Sequence, residues 1–215
     1  ESEARASAAA AWRLPRAALL ASVGLAACAS LAGVLAVNSL LSYVLLAAGG
    51  SQASAVRTAL AIMVAKFLVL VPVCFYLIDR VGRRPLLVAS SLFMALGCGM
   101  TAAALAGCLP RVCAFVGIAI HLTCYSMGVG PVMWTYCTEV IPTRMRGPGM
   151  GLAVLIGRSI ATVQLFLLPM VLELSLTAPF LFYTGTNLCT IVFVMYVCPE
   201  TKNISLEGLH SLFKE

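Results

Sequence analysis

Charge is what this sequence has least of. Only 10% of its 215 residues are Asp, Glu, Lys or Arg, against 61% hydrophobic residues and a mean hydropathy of +1.02. A soluble domain carries roughly 25% charged residues, so a water-facing globular surface is not expected. Acidic groups are scarcer than basic ones, giving a net charge of +6. That excess does not speak for nucleic acid. The Lys and Arg residues sit at the ends of apolar runs, without an exposed face of stacking aromatics, and a membrane accounts for them better. Histidine is limited to His121 and His210, far apart in the chain, so no metal set is expected. Nucleophile–base pairs, phosphate-cradling glycine loops and metal-ligand clusters are missing too, which argues against an enzyme and against a cofactor.

Cysteine, by contrast, is not scarce. The nine thiols lie mostly inside apolar runs and read as small packing residues. Cys108 and Cys113 flank a short loop, where free thiols are expected.

The apolar residues fall into six segments: Ala17–Ala48, Thr58–Ile78, Leu86–Ala106, Val112–Tyr136, Met150–Val171 and Pro179–Cys198. A helix needs about 20 such residues to cross a bilayer core. The first segment is too long for one straight crossing and contains Gly33, Asn38 and Ser39, which predicts a helix broken near its outer end. Glu1–Pro15 is Ala-rich and charged with no apolar core, so no signal peptide is expected there. The expected class is an all-α, multi-pass integral membrane protein. Residues 1–16 form a leading cytoplasmic segment, 17–198 a six-helix transmembrane bundle, and 199–215 a cytoplasmic tail.

Orientation follows from the basic residues. With both termini cytoplasmic, the inner side holds Arg5, Arg13, Arg16, Arg80, Arg83, Arg84, Arg144, Arg146, Lys202 and Lys214, and the outer loops hold only Arg57 and Arg111. Ten against two is the asymmetry expected of short loops retained inside.

Two basic residues remain, Lys66 and Arg158, both near the middle of spans. A cation there costs at least about 2.5–3.5 kcal/mol unless it meets water or a partner. Lys66 can snorkel along its helix, or face a polar cavity or a neighbouring helix's carbonyls. Arg158 poses the same question between Gly157 and Ser159.

In the fourth segment Gly128-Val129-Gly130-Pro131 precedes Trp134. Pro131 lacks a backbone donor and crowds the preceding turn, so it is expected to kink or unwind this helix, as happens where helices line cavities. Trp134 is then either a flat wall of that cavity or an interfacial belt residue. Beyond it, Glu139, Arg144 and Arg146 lie at the same expected face as Asp79, Arg80, Arg83, Arg84, Glu200 and Lys202. They are either a solvated loop surface or a network that ties helix ends together.

Four stretches now read as a set: Asp-Arg-x-Gly-Arg-Arg-Pro-Leu-Leu at 79–87, Gly-x-Gly-Pro-x-x-Trp-x-x-x-x-Glu at 128–139, Pro-Thr-Arg-x-Arg-Gly at 142–147 and Pro-Glu-Thr-Lys at 199–202. They resemble the C-terminal half of sugar porters of the major facilitator superfamily, and within them the plant polyol and monosaccharide branch. The resemblance implies helices seven to twelve of a twelve-helix carrier. Its partners would be a small neutral solute (a polyol or monosaccharide), the lipid bilayer and the N-terminal six-helix half, with proton coupling left open and no nucleic acid. Solute would bind between the halves, which rock around it.

On that reading the substrate contacts are Trp134, Asn38, Ser39, Gln164, Gly130 and Pro131, although Gln164 can equally cap a helix contact. The gating residues are Asp79, Arg80, Arg83, Arg84, Glu139, Arg146 and Glu200, with Glu139 pairing Arg146 and Arg83 or Arg84. The chain also departs from the family pattern. Ala29, Ser30, Ala32 and Leu35 stand where sugar porters carry two Gln, a Ser and an Asn or Asp, and Gly157 where an Asn is common. Those amides bind hydroxyls, so a non-transporting sensor on the same scaffold is the competing expectation.

Overall fold

The structure, a computed structural model, describes residues 16–47, 51–72 and 78–202. Expectations for Glu1–Pro15 and for residues 203–215 lie outside them. The described residues form helices, one short 3-10 turn and their connections. Helices α1 (Arg16–Leu31), α2 (Val34–Ser39) and α3 (Leu41–Ala47) follow one another closely. They are followed by α4 (Gln52–Pro72), the short α5 (Ile78–Val81), α6 (Arg83–Leu105), α7 (Val112–Met127) and α8 (Val129–Val140). A 3-10 turn, Thr143–Met145, leads into α9 (Arg146–Leu174), and α10 (Ala178–Val197) closes the bundle. Five helical stretches are long and apolar enough to cross a membrane: Gln52–Pro72, Arg83–Leu105, Val112–Val140, Thr143–Leu174 and Ala178–Val197. The sixth expected span is the broken series α1–α3.

Where that series breaks differs in part from expectation. One interruption lies at Ala32–Gly33, in the middle of the run rather than near its end, while a second at Leu40, beside Asn38 and Ser39, falls near that end as expected. Gly33 has φ 78°, a left-handed conformation that glycine adopts without a Cβ penalty. A side chain there would also collide with the Tyr183 ring, whose atoms lie 2.2–2.5 Å from where a Cβ would sit. Breaking a helix strands a carbonyl, and in lipid no water can satisfy it. The Leu31 carbonyl is instead held by Gln164 Nε2 at 3.3 Å and Thr186 Oγ1 at 3.1 Å, from α9 and α10.

The fourth span breaks within the expected Gly128–Pro131 stretch, but not at the expected residue. The discontinuity in the fourth span falls on Gly128, with φ −145° and ψ −79°, and not on Pro131. Pro131 sits in the first turn of α8, where its missing N–H costs nothing because first-turn donors have no helical partner. Ser90 of α6 repairs the break. Its hydroxyl donates to the Cys124 carbonyl at 2.7 Å and accepts the Val129 N–H at 3.2 Å. Gly128 itself must be small, since a Cβ would come within 2.6 Å of the Leu86 carbonyl.

Helices α6 and α7 form the tightest pair through small residues, as membrane helices do when backbones approach closely. A Cβ on Gly97 would lie 2.7 Å from the Gly117 carbonyl, and one on Gly117 2.5 Å from that of Gly97. The loop between them is short because α6 ends abruptly at Gly107, φ 85°. The Gly107 N–H reaches the Ala104 carbonyl and the Cys108 N–H that of Ala103, which satisfies the last turn. Cys108 and Cys113 are free thiols. Helix α10 packs on α6 and α1, and α9 packs on α1. The apolar side chains of Leu60, Val64, Phe67 and Leu68 on α4 stay exposed, a face suited to hydrocarbon. Helix α4 also begins at Gln52, ahead of the expected Thr58, so Arg57 is a helical residue whose Nε donates to the Ala53 carbonyl.

Candidate functional site

Helices on either side of the Gly33 and Gly128 breaks line a common cavity of about 150 Å³. Its wall is drawn from α1 (Ala29, Ser30), α2 (Leu35, Asn38), α4 (Lys66), α7 (Tyr125), α8 (Trp134) and α9 (Gly157, Arg158). Gly157 brings α9 close to α1: a Cβ there would lie 2.9 Å from Ser30 Oγ. Lys66 Nζ donates to Asn38 Oδ1 at 2.7 Å. The lysine therefore resolves its cost inside the span by facing this cavity and an amide oxygen across it. Arg158 lines the same wall. Two cations, one amide, a phenol and an indole thus share one concavity. Such a surface offers hydrogen-bond donors and two flat rings, with few acceptors.

Of the expected substrate contacts, Trp134 and Asn38 come together here. Gln164 does not. It is buried with its Nε2 on the Leu31 carbonyl, and it borders a different groove with Phe182 and Tyr183. Ser39 is exposed and outside the cavity wall, and the half-buried Gly130 and Pro131 lie outside it too. Gly130 instead receives the Tyr125 ring, 2.9 Å from its would-be Cβ, and so steers that ring. The sequence reading missed Tyr125 and Ser30, and left Lys66 and Arg158 as open questions although their charge at mid-span was the available signal. Elsewhere, His121 is buried with its Nδ1 3.1 Å from Cys98 Sγ, a pairing that separation in sequence conceals.

A second cluster occupies the end of the bundle where α6 begins and α8 and α10 finish. Arg83 donates from Nε and Nη2 to Glu139 Oε1 at 3.1 and 2.9 Å, and Thr201 Oγ1 donates to Glu139 Oε2 at 2.6 Å. Glu200 Oε1 accepts the backbone N–H groups of Arg83, Thr201 and Lys202, each at 3.0 Å, and its Oε2 accepts that of Arg84 at 3.1 Å. It thereby caps the first turn of α6, whose own N-cap residue Gly82 supplies no side chain. Gly82 has φ 105°, and a Cβ would lie 2.9 Å from Glu200 Oε2, so only glycine admits this carboxylate. Partial burial pushes the Glu200 pKa up. The N–H groups of Lys202, Arg83, Arg84 and Thr201 outweigh that and hold it below the ordinary glutamate value.

Lys202 Nζ donates to the Arg80 carbonyl at 2.6 Å, and Arg84 Nη2 to that of Met195. Asp79 belongs to α5, but its side chain lies outside the described residues. Arg146 does not join as expected. Among the described residues it makes no ion pair with Glu139, and its Nε is buried without a partner. Its position at the start of α9 places it one short turn beyond α8, and Glu139 is already taken by Arg83 and Thr201.

Comparison with known proteins decides the family. A family model described as "Sugar (and other) transporter" matches residues 1–213. The chain belongs to that family. It is 33% identical over 171 residues to the D-xylose-proton symporter-like 3, chloroplastic, of Arabidopsis thaliana, covering 78% of this chain and 30% of that protein. It is 34% identical over 148 residues to the probable polyol transporter 6 of the same plant, covering 64% of this chain and 30% of that protein. The proton:xylose symporter XylE bound to 6-bromo-6-deoxy-D-glucose shares the fold with a TM-score of 0.82 at 23% identity, over 91% of this chain and 42% of that one. The chain thus spans about 30% of the length of the curated relatives it matches and a portion of the major facilitator fold. Family members are membrane transporters and not enzymes.

Proposed function

We propose that this chain is the C-terminal half of a carrier that moves a small neutral polyol or monosaccharide by alternating access, with proton coupling left open. The observation that carries the reading is the cavity lined by the broken helices, where Trp134, Tyr125, Asn38 and Lys66 converge. An indole face suits the C–H face of a polyol, while the amide and ammonium groups suit its hydroxyls. The relatives named as polyol transporter and xylose symporter support the same solute class. The cluster of Arg83, Glu139 and Glu200 is then a lock on the cytoplasmic side, holding α6, α8 and the segment after α10 together while the cavity is closed there. Partly buried, charge-assisted bonds of this kind contribute about 1.5–3 kcal/mol each, enough to bias a two-state balance.

One observation favours a second reading. Ala29, Ser30 and Leu35 line the cavity where sugar porters present amides, which leaves few acceptors for hydroxyls. A sensor that keeps the scaffold without transporting would fit that loss. Uptake of radiolabelled polyols and pentoses by the full-length protein in transport-deficient cells separates the two. Transport that falls at least tenfold in Trp134→Ala, at matched surface expression, supports the carrier. No uptake by the parent protein supports the sensor, and unimpaired uptake by both Trp134→Ala and Asn38→Ala overturns the assignment of this cavity.

A further inference from the structure

The face formed by α1 and α10 has no role in the readings above, yet it carries a continuous groove. Near the Arg83 end lies a hollow of about 570 Å³ bounded by Arg84, Leu20, Tyr196, Cys198 and Pro199. It runs into a second hollow of about 430 Å³ lined by Leu20, Val23, Gly24, Ala27, Phe193 and Val197. Leu20 and Val197 belong to both, so the two form one channel, polar at its mouth and apolar along its length. Gly24 sets the depth of the apolar arm: the Phe193 ring comes to 2.4 Å from where a Cβ would sit.

Arg84 stands at the mouth. One guanidinium nitrogen donates to the Met195 carbonyl, which anchors the side chain, and among the described residues no carboxylate pairs with it. Glu200 accepts the Arg84 backbone N–H and spends its oxygens on backbone N–H groups. An anchored cation with no carboxylate partner among the described residues therefore faces the mouth of an apolar channel. Tyr196 beside it is 86% exposed, which suits a phenol at headgroup depth. In a membrane this combination has one complementary occupant, an amphiphile with a negative head and a hydrocarbon tail.

We propose that the groove between α1 and α10 binds an anionic phospholipid, its phosphate on the Arg84 guanidinium and one acyl chain lying along Leu20, Val23, Ala27 and Phe193. Bound there, the lipid would link α1, which leads to the Gly33 break, with the end of α10 that carries Glu200. This site stands apart from the solute cavity and does not depend on which solute is carried.

Native mass spectrometry of the full-length protein, released from nanodiscs of phosphatidylcholine containing phosphatidylglycerol, tests it. The parent should retain phosphatidylglycerol in preference to phosphatidylcholine. Arg84→Gln should weaken that retention about fivefold, the worth of one basic residue near an anionic surface, and Arg84→Lys should recover most of it. Ala27→Trp, which fills the apolar arm without touching the charged cluster, should lower retention of both lipids. Arg57→Gln on α4 is the control and should retain lipid as the parent does. Equal retention of the two lipids by the parent overturns the proposal, as does unchanged phosphatidylglycerol retention in both Arg84→Gln and Ala27→Trp.

Discussion

As on Gly33, two independent demands meet on Gly82. Its φ of 105° excludes ordinary side chains, and Glu200 occupies the space a Cβ would need. Gly82→Ala should therefore cost more than the roughly 1–3 kcal/mol of a strained backbone alone, since it also displaces the carboxylate that caps α6. Glu200→Gln, which removes the charge and keeps the shape, should cost less, about 1–2 kcal/mol as an ordinary loss of charge-assisted capping. Thermal unfolding of the full-length protein in detergent checks both, and the order of the two effects is the decisive result. The sign of the pH effect follows from the same contacts. The Glu200 pKa is depressed in the folded protein, so its contribution is present above the ordinary glutamate value near 4.5 and is lost as pH falls through the lowered folded value. Parent and Glu200→Gln should accordingly differ in melting temperature at neutral pH and converge only at pH well below 4.5.

At the scale of elements, the two broken helices are repaired by different means. The α7–α8 break relies on one hydroxyl: Ser90 satisfies both a stranded carbonyl and a stranded N–H. Ser90→Ala should cost about 1–3 kcal/mol, the usual penalty for leaving buried polar groups unpaired, read as a drop in melting temperature. The α1–α2 break has two donors, Gln164 and Thr186, on one carbonyl, so Thr186→Val alone should be milder than Ser90→Ala. The Arg83–Glu139 pair, at 14% and 22% side-chain exposure, should show a double-mutant coupling of about 1.5–3 kcal/mol.

How far the sequence disclosed these elements depends on the kind of signal. The spans were legible because twenty-residue apolar runs have one physical meaning in a bilayer, while their ends, as at Gln52 of α4, were not always. The meeting of Arg83 with Glu139 was legible through motif spacing, whereas the failure of Arg146 to pair with Glu139 was not, because competition from Thr201 for the same carboxylate is a tertiary event. The break at Gly128 was assigned to the neighbouring Pro131, whose place in a first turn makes it harmless. Gln164 takes the second of its two expected roles, a helix contact, and what decided between them is tertiary: its partner, the Leu31 carbonyl, exists as a free acceptor only once the helix breaks at Gly33. Lys66 and Arg158 announced themselves by charge, but which of two fates each met depended on helix rotation, which a uniformly apolar run does not encode.

At the scale of the whole molecule, the charge distribution gives an expectation for which way the bundle faces. Arg80, Arg83, Arg84, Arg144, Arg146 and Lys202 all lie at the end where α6 begins, while Arg57 and Arg111 lie toward the opposite end. Basic residues close to span ends resist translocation, so the arginine-rich end should be cytoplasmic. Because the Arg83–Glu139–Glu200 cluster is at that same end, orientation also decides whether it can serve as an inner lock. Two exposed positions at opposite ends test this without disturbing packing. Gly147, in the first turn of α9, has open space around its would-be Cβ, and Gln52 begins α4 in an exposed position. Single cysteines placed there in full-length protein with a reduced native cysteine background should behave oppositely toward a membrane-impermeant maleimide applied to intact cells. Gln52→Cys should label, and Gly147→Cys should label only after permeabilisation. The reverse pattern would invert the bundle and place the charged cluster on the outer side, where it could still join helix ends but could not close the cavity to the cytoplasm.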